Sequence, residues 1–411
     1  MGSLGDLHPK IALGLELRNR GHDVLIATWE GYREKIDQLG FEFRPMRPNV
    51  DQNDKELLAD LMHPSKGPEK VIRQLVFPYL HEMFDDLFAA CDKADLIVTG
   101  EIVYVASSVA EKTGIKWVST SLAPLSMFSS HDPNVYPQAE WLELLRPLPT
   151  FFHSGLFSVM RSTISHWYGP YKSFRRELGM DPNHDPIFTG KYSALLHLAM
   201  FSRALAVPQP DWWHPTVQTG FCFYDGQRDK GQMPAELEQF LSDGEAPIVF
   251  TLGSAAVMDP GDFFIESIEA AKKLGRRAVI IFGEENERPD GLTQEIIGVP
   301  YAPFSSVFPK AACVVHQGGV GTTGQVLRAG VPHLIMPYSH DQPDNAARCR
   351  RLGVARTISR GRYNARSAAD EIMKLLTDSR YRQKARDLAV IVASEDGVGS
   401  ACDAIEGALR K

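Results

Sequence analysis

At 411 residues, 44% hydrophobic and 23% charged, the chain has a globular composition but is too long for one ordinary core, so two domains of about 200 residues each are expected. A net charge of −7 gives no electrostatic reason to expect nucleic acid as a partner, and five scattered cysteines without a C-x-x-C pair argue against a disulfide frame or a zinc site. No run reaches the roughly 18 apolar residues of a membrane span and no secretory leader is seen, so a cytoplasmic location is expected. In chain order, Pro9 at a first-turn position, followed by Ile11, Leu13, Leu15 and Leu17, predicts a helix to Asn19. Apolar runs at 23–28, 95–99, 117–120 and 194–200 read as buried parallel strands, with amphipathic helices over 69–91 and 103–112 between them. From 122 to 180 the pattern breaks into aromatic pieces that include Phe128, Trp141, Phe152 and Trp167. Basic and aromatic residues mingle between Phe151 and Arg176, which leaves a peripheral membrane contact open.

Residues 203–245 are rich in proline and then in charge, and they lack periodicity, as an interdomain connection would. Strand-like runs resume at 247–251, 278–282, 311–315 and 333–336, and the alternation continues to about residue 353. Two helical stretches, 367–391 and 399–410, close the chain. Strands alternating with helices predict an α/β fold of two doubly wound domains, with ligands at the carboxyl ends of the strands. The expected boundaries are 1–205 for the first domain, 206–245 for the connection, 246–390 for the second domain and 391–411 for a terminal helix.

The densest chemistry lies in 316–345, HQGGVGTTGQVLRAGVPHLIMPYSHDQPDN. A buried strand runs into His316, then a glycine turn, then a helix, an arrangement that offers backbone N–H groups and a positive helix end to a phosphate. Asp341, Gln342 and Asn345, one βα unit later, supply donors and acceptors suited to sugar hydroxyls. Gly319, Gly321 and Gly324 also satisfy the dinucleotide pattern G-x-G-x-x-G, with Asp341 and Asp344 near the ribose-acid spacing. That fingerprint normally opens its domain, whereas two strand-like runs precede it here, and it gives His316 no role.

The segment resembles the donor-binding signature of the family 1 glycosyltransferases of GT-B fold, closest to the bacterial and sterol glucosyltransferase-like branch with H-x-G-G-x-G-T-T. The resemblance covers nearly the whole chain. Gly2-Ser3-Leu4-Gly5-Asp6-Leu7-His8-Pro9 matches the family's G-S-x-G-D-x-x-P loop, and Arg20-Gly21-His22-Asp23-Val24 its R-G-H-x-V turn. Thr251-Leu252-Gly253-Ser254, Tyr301-Ala302-Pro303-Phe304 and Asp211-Trp212 fall where the family has its G-S loop, W/Y-x-P segment and linker D-W. Family members begin with a hydrophobic strand ahead of the first loop. Here Met1 stands directly on that loop, so the first strand of the N-terminal domain is expected to be missing, with a start codon assigned too late as its explanation.

The resemblance implies inverting, metal-independent transfer of a sugar, glucose foremost, from a UDP-sugar co-substrate, with no other cofactor. Asp6 is the candidate base, or else a helix cap; His8 is a second candidate or an N-cap; Glu101 is a contributor beside Gly100, where plant relatives carry an orienting aspartate. On the donor side, His316 would contact the diphosphate; Gly318, Gly319, Gly321, Thr322 and Thr323 would donate to the phosphates, with Gly253 and Ser254 opposite. Tyr301 would stack on uracil and the Ala302 backbone would read its edge, while Asp341, Gln342 and Asn345 would bind the sugar. Phe304 and Gly324 depart from the plant pattern at two ribose contacts. Phe128, Trp141, Phe152 and Trp167 are expected to line an acceptor pocket for an apolar or aromatic alcohol, with a sterol or lipid as a variant. A GT-B epimerase and a non-catalytic UDP-sugar-binding protein are the rival classes.

Overall fold

Ser3 starts the first helix, Leu4–Asn19: its hydroxyl accepts the Gly5 N–H at 3.2 Å, and the Asp6 carboxylate accepts the Ser3 N–H at 2.8 Å, a capping box. The helix thus begins ahead of Pro9, which lies in its second turn, and His8 is an interior residue, not a cap. The computed structural model describes residues 2–51, 54–226, 233–254, 256–284 and 286–410.

The N-terminal strands fall into two separate parallel sheets. β1 (Leu25–Thr28) pairs with β2 (Glu42–Pro45); β3 (Leu96–Thr99), β4 (Lys116–Ser121), β5 (Leu196–Ala199) and β6 (Thr216–Gln218) pair in chain order. The first helix bridges the two. Leu7 and Ile11 pack with Ile26, Phe41 and Phe43 on the β1–β2 side, while Ala12 and Leu13 pack with Val118, Leu196 and Leu198 on the other.

The stretch 69–91 is not one helix. It runs as Gly67–Lys70, a π-helical Val71–Val76, a 3₁₀ turn Phe77–Tyr79 and an α-helix Leu80–Ala90, because Pro78 has no N–H to continue the ladder. The connecting stretch 206–245 carries regular structure as well. β6 extends the first-domain sheet, and helix Ala235–Ser242 buries Leu237 and Phe240 in the second-domain core; residues 227–232 lie outside the described residues.

In the second half, β7 (Ile248–Thr251), β8 (Ala278–Ile281), β9 (Ile296–Val299), β10 (Cys313–His316), β11 (His333–Ile335) and β12 (Ala355–Thr357) form one parallel sheet. Its spatial order is β9-β8-β7-β10-β11-β12, which reverses direction between β7 and β10. Every residue of β7, β8, β10 and β11 is buried, as expected of strands covered on both faces. The stretch 367–391 is two helices, Ala365–Thr377 and Ser379–Ala393, divided at Asp378, whose extended backbone ends the first and whose carboxylate caps the second. The last helix, Gly397–Leu409, returns to the first domain: Cys402, Ile405 and Ala408 pack with Leu13 and Val118, and Arg20 pairs with Asp403 at 2.6 Å.

The two halves are also joined by a buried polar network. Arg348, 3% exposed, donates to Asp344 at 2.7 Å and Asn134 at 3.2 Å and pairs with Asp132, while Asp344 accepts the Val135 N–H at 2.9 Å.

Candidate active site

The sheet reversal between β7 and β10 opens a crevice at the strands' carboxyl ends, where ligands of open α/β folds sit. The loop after β7 presents Gly253 and an exposed Ser254; the loop after β9 presents Tyr301, 44% exposed, with Ala302 buried beneath it. The turn after β10 leads into helix Val320–Ala329, which starts without a side-chain cap, so the Gly321 and Thr322 amides point outward unpaired by the helix. Gly318 adopts φ +92°, and a Cβ there would lie 2.7 Å from Ile335 Cγ2, so only glycine fits that corner. The result is an amide-lined, positively poled recess for an anion.

His316 does not face that recess. Its ring is wholly buried and both nitrogens are engaged behind the turn. The Gly318 N–H donates to Nδ1 at 3.0 Å, so Nε2 carries the ring proton and donates to His333 Nδ1 at 2.8 Å. His333 Nε2–H is then a buried donor without a partner among the described residues. Burial pushes both imidazoles down, His333 to about 3, so the pair is neutral. The ring thus holds the turn from behind through both nitrogens. Thr323 is likewise fully buried, its hydroxyl unpartnered among the described residues, whereas Thr322 lies toward the Gly253 loop.

The acid–amide cluster divides by exposure. Gln342 Oε1 accepts the Tyr338 and Ser339 N–H groups at 2.7 and 3.3 Å, and Asn345 Nδ2 donates to the Gly318 carbonyl at 2.9 Å and to Asp341 at 2.7 Å. Both amides are buried and hold loops in place. Asp341 is partly exposed, and one of its oxygens takes the Val320 N–H at 3.0 Å. Burial chiefly raises its carboxyl, to about 7, and the charge of Asp6 in the facing domain adds to the shift.

Asp6 turns one oxygen to the Ser3 N–H and hydroxyl, and its surface is open to the cleft. Surrounding protein raises its pKa and the Ser3 hydrogen bonds oppose the rise; the open surface lets cleft water temper both. His8 instead meets Lys35 Nζ at 3.0 Å and packs against the Tyr224 ring, and burial with that ammonium pushes its pKa to about 3. Its lone pair is occupied. Glu101 takes the Leu122 N–H at 3.1 Å and the Ser126 hydroxyl and lies 3.8 Å from Lys191, forming no hydrogen-bonded dyad with Asp6 or His8. Sequence reasoning missed Lys10, which burial brings to about 8 beside Thr120, within the fields of Asp6 and Glu101. A lone lysine in an otherwise apolar helix face was the available signal.

The four aromatic residues assigned to an acceptor pocket are not brought together. Phe128 packs with Phe157 and Phe188 at the edge of the first core, and Trp167 lies against the same core. Trp141 (61% exposed) and Phe152 (36% exposed) stand on the surface, with Leu144 and Phe151 beside them in sequence.

A family model for the erythromycin biosynthesis protein CIII-like C-terminal domain matches residues 268–397. The O-mycaminosyltylonolide 6-deoxyallosyltransferase of Streptomyces fradiae is 31% identical, over 99% of this chain and 95% of that protein. The chain belongs to the family 1 glycosyltransferases of GT-B fold. A sterol 3-beta-glucosyltransferase of Debaryomyces hansenii is 26% identical over 98% of this chain, which spans about a quarter (26%) of that longer relative. Among solved structures, the kitacinnamycin glycosyltransferase superposes with a TM-score of 0.73 at 20% identity, covering 98% of this chain and 96% of that one. SsfS6 of Streptomyces sp. SF2575, complexed with thymidine diphosphate, gives 0.65 at 21% identity with the same coverage. This glycosyltransferase thus shares its fold with enzymes of small-molecule glycosylation. No described helix is long and apolar enough to cross a membrane.

Proposed function

We propose that this glycosyltransferase works with inversion and without a metal, moving a hexose, glucose foremost, from a UDP-sugar to a hydroxyl of an apolar or aromatic small molecule. The observation that carries the reading is the uncapped start of helix Val320–Ala329, whose Gly321 and Thr322 amides stand free beside the Gly253 loop for a diphosphate. Asp6 takes the acceptor proton as that oxygen attacks the anomeric carbon, and the C1–O bond to the diphosphate breaks. The departing negative charge meets the unpaired Gly321 and Thr322 amides at the helix end. Asp341 accepts or donates hydrogen bonds at the sugar, and exposed Tyr301 offers a ring face to the base.

A second donor class is favoured by the thymidine diphosphate found in SsfS6 and by the 6-deoxyallosyl group in the name of the Streptomyces fradiae relative: a thymidine diphosphate deoxysugar. For the acceptor, a macrolide-like alcohol follows that relative and a sterol follows the glucosyltransferases. The test is nucleoside diphosphate release from UDP-glucose and from a dTDP-sugar, with and without a panel of phenols, polyketides and sterols, beside Asp6→Asn. Acceptor-dependent release lost in the variant supports the reading. Donor binding with no release on any acceptor would make the chain a sugar-nucleotide-binding protein.

A further inference from the structure

We infer that helix Thr150–Ile164 and the turn before it form a docking surface for an anionic lipid bilayer, with the helix lying on the membrane surface. Between residues 141 and 159 six large apolar side chains stand out: Trp141, Leu144 (80% exposed), Leu148, Phe151 (77% exposed), Phe152 and Val159 (63% exposed). Single exposed apolar residues need no explanation, but a run this dense does. The inner face of the helix accounts for the outer one. Phe157, Met160 and Ile164 pack against the first core and fix the rotation of the helix. That rotation turns Phe151, Gly155 and Val159, each four residues from the next, to the exposed side. The 3₁₀ helix Glu140–Leu145 adds Trp141 and Leu144, three apart and so stacked on one side of a three-residue turn.

The border of this strip has different chemistry. Ser158, Arg161, Ser162 and Ser165, at i, i+3, i+4 and i+7, are all exposed and edge an open hollow of about 460 Å³ that Lys172 also lines. Asp185 lines it as well, but its carboxylate is taken by Arg161 Nε at 2.6 Å and by the Ile187 and Phe188 N–H groups at 3.0 Å each. The Lys172 ammonium has no acidic partner among the described residues, so the hollow keeps a positive charge beside its hydroxyls. Such a hollow suits the phosphate of a lipid headgroup. The charge pattern of the chain favours anionic lipid in particular. From Leu144 to Arg176 there are five Lys and Arg and no Asp or Glu, although the net charge of the whole is −7. Arg146 and Arg175 in that stretch are neutralised by Asp132 and Glu111, which leaves Lys172 and the exposed Arg176 to meet an outside anion. Projecting aromatic and aliphatic side chains next to cations, with no acid among them, are the make-up of an interfacial helix.

Flotation of the full chain with unilamellar vesicles tests this, using phosphatidylcholine alone and phosphatidylcholine mixed with phosphatidylglycerol. Wild type should float with the anionic vesicles roughly tenfold better than with the neutral ones, and less so as salt rises. Phe151→Ser combined with Val159→Ser should weaken binding to the anionic vesicles by roughly tenfold or more, with the melting temperature unchanged because both side chains are exposed. Lys172→Glu should remove much of the preference for anionic vesicles and leave binding to neutral ones as it was. Quenching of tryptophan fluorescence by nitroxide-labelled lipid should drop in Trp141→Phe. A wild type that does not float with anionic vesicles at low salt overturns the inference, as does a serine pair that floats like wild type. If light scattering instead shows a dimer that the serine pair dissolves, the strip joins two copies of the chain and the inference fails. No readout here involves a nucleotide sugar, so the donor reading stands or falls separately.

Discussion

Asp341 should make donor binding depend on pH near neutrality. Burial and the Asp6 charge bring its carboxyl to about 7 in the free protein, so at pH 7 it is about half protonated. A diphosphate charge placed ~6 Å away, in a site open to water with an effective dielectric of ~40, disfavours the ionised form by about 1.4 kcal/mol, or one pKa unit. The bound carboxyl then titrates near ~8. Binding takes up a proton between those two values, so affinity is highest below pH 7 and falls about tenfold as pH rises through 7 to 8. UDP-glucose is the suitable probe, because its diphosphate has no terminal phosphate to titrate in the same range. Calorimetry in two buffers of different ionisation enthalpy counts the protons directly, and fluorescence titrations at pH 6, 7, 8 and 9 give the slope. Asp341→Asn should bind without proton uptake and without the slope. A wild type whose affinity is flat from pH 6 to 9, or a variant that keeps the full slope, refutes the reasoning.

Arg348→Met leaves the carboxylates of Asp344 and Asp132 buried without their guanidinium, which should destabilise by about 3–5 kcal/mol and lower the melting temperature by roughly 3–6 °C in calorimetry. Asp132 is held below the usual carboxylate range, first against burial and then by Arg348, so the network's stabilisation is present above about pH 4 and lost as pH falls further. His333→Leu strands the buried His316 Nε2–H, which should cost about 1–3 kcal/mol in denaturant titrations and loosen the glycine turn, weakening UDP binding. Asp6→Asn should lower kcat by about 10²–10⁴-fold, as rapid-quench assays would show.

The donor half was legible where physics is local. Fully buried parallel strands read as unbroken apolar runs, so Ile248–Thr251 and Cys313–His316 were found within a residue or two. Short strands with weaker runs were not: Thr216–Gln218 and Ala355–Thr357 carry polar residues at sheet edges, and the first was absorbed into the connection. The glycine turn and its uncapped helix followed from the spacing of Gly318, Gly319 and Gly321. The direction of His316 did not, because it depends on His333, a residue seventeen positions on that only the β10–β11 pairing brings behind it. The same limit separated Gln342 and Asn345 from Asp341, since which member of a helix start keeps a free oxygen is decided by the loops that reach it. Aromatic residues gave the least: Phe128 is core edge and Trp141 is surface, and composition cannot tell a ligand wall from either.

The bonds across the cleft differ in strength in a way that sets how it should open. The two residues before Asp341 are tied to first-domain main-chain carbonyls: Ser339 Oγ donates to His63 O at 3.1 Å, and His340 Nε2 donates to Leu61 O at 3.0 Å. Each is an ordinary neutral hydrogen bond worth about 1 kcal/mol net, and His340 holds a left-handed φ of 57° that costs about the same or more. The Arg348 network, about two helical turns from Asp341, is buried and ionic and costs several times as much to break. Domain opening should therefore pivot about Arg348 and part first at Ser339 and His340, beside Asp341. His340→Gly removes both the latch and the strain, so it should speed product release and raise kcat severalfold if release limits turnover, with KM for the donor rising alongside. Pre-steady-state bursts decide the matter: a burst of nucleoside diphosphate in wild type that disappears in His340→Gly supports the pivot. An unchanged burst with slower turnover would place the rate-limiting motion elsewhere.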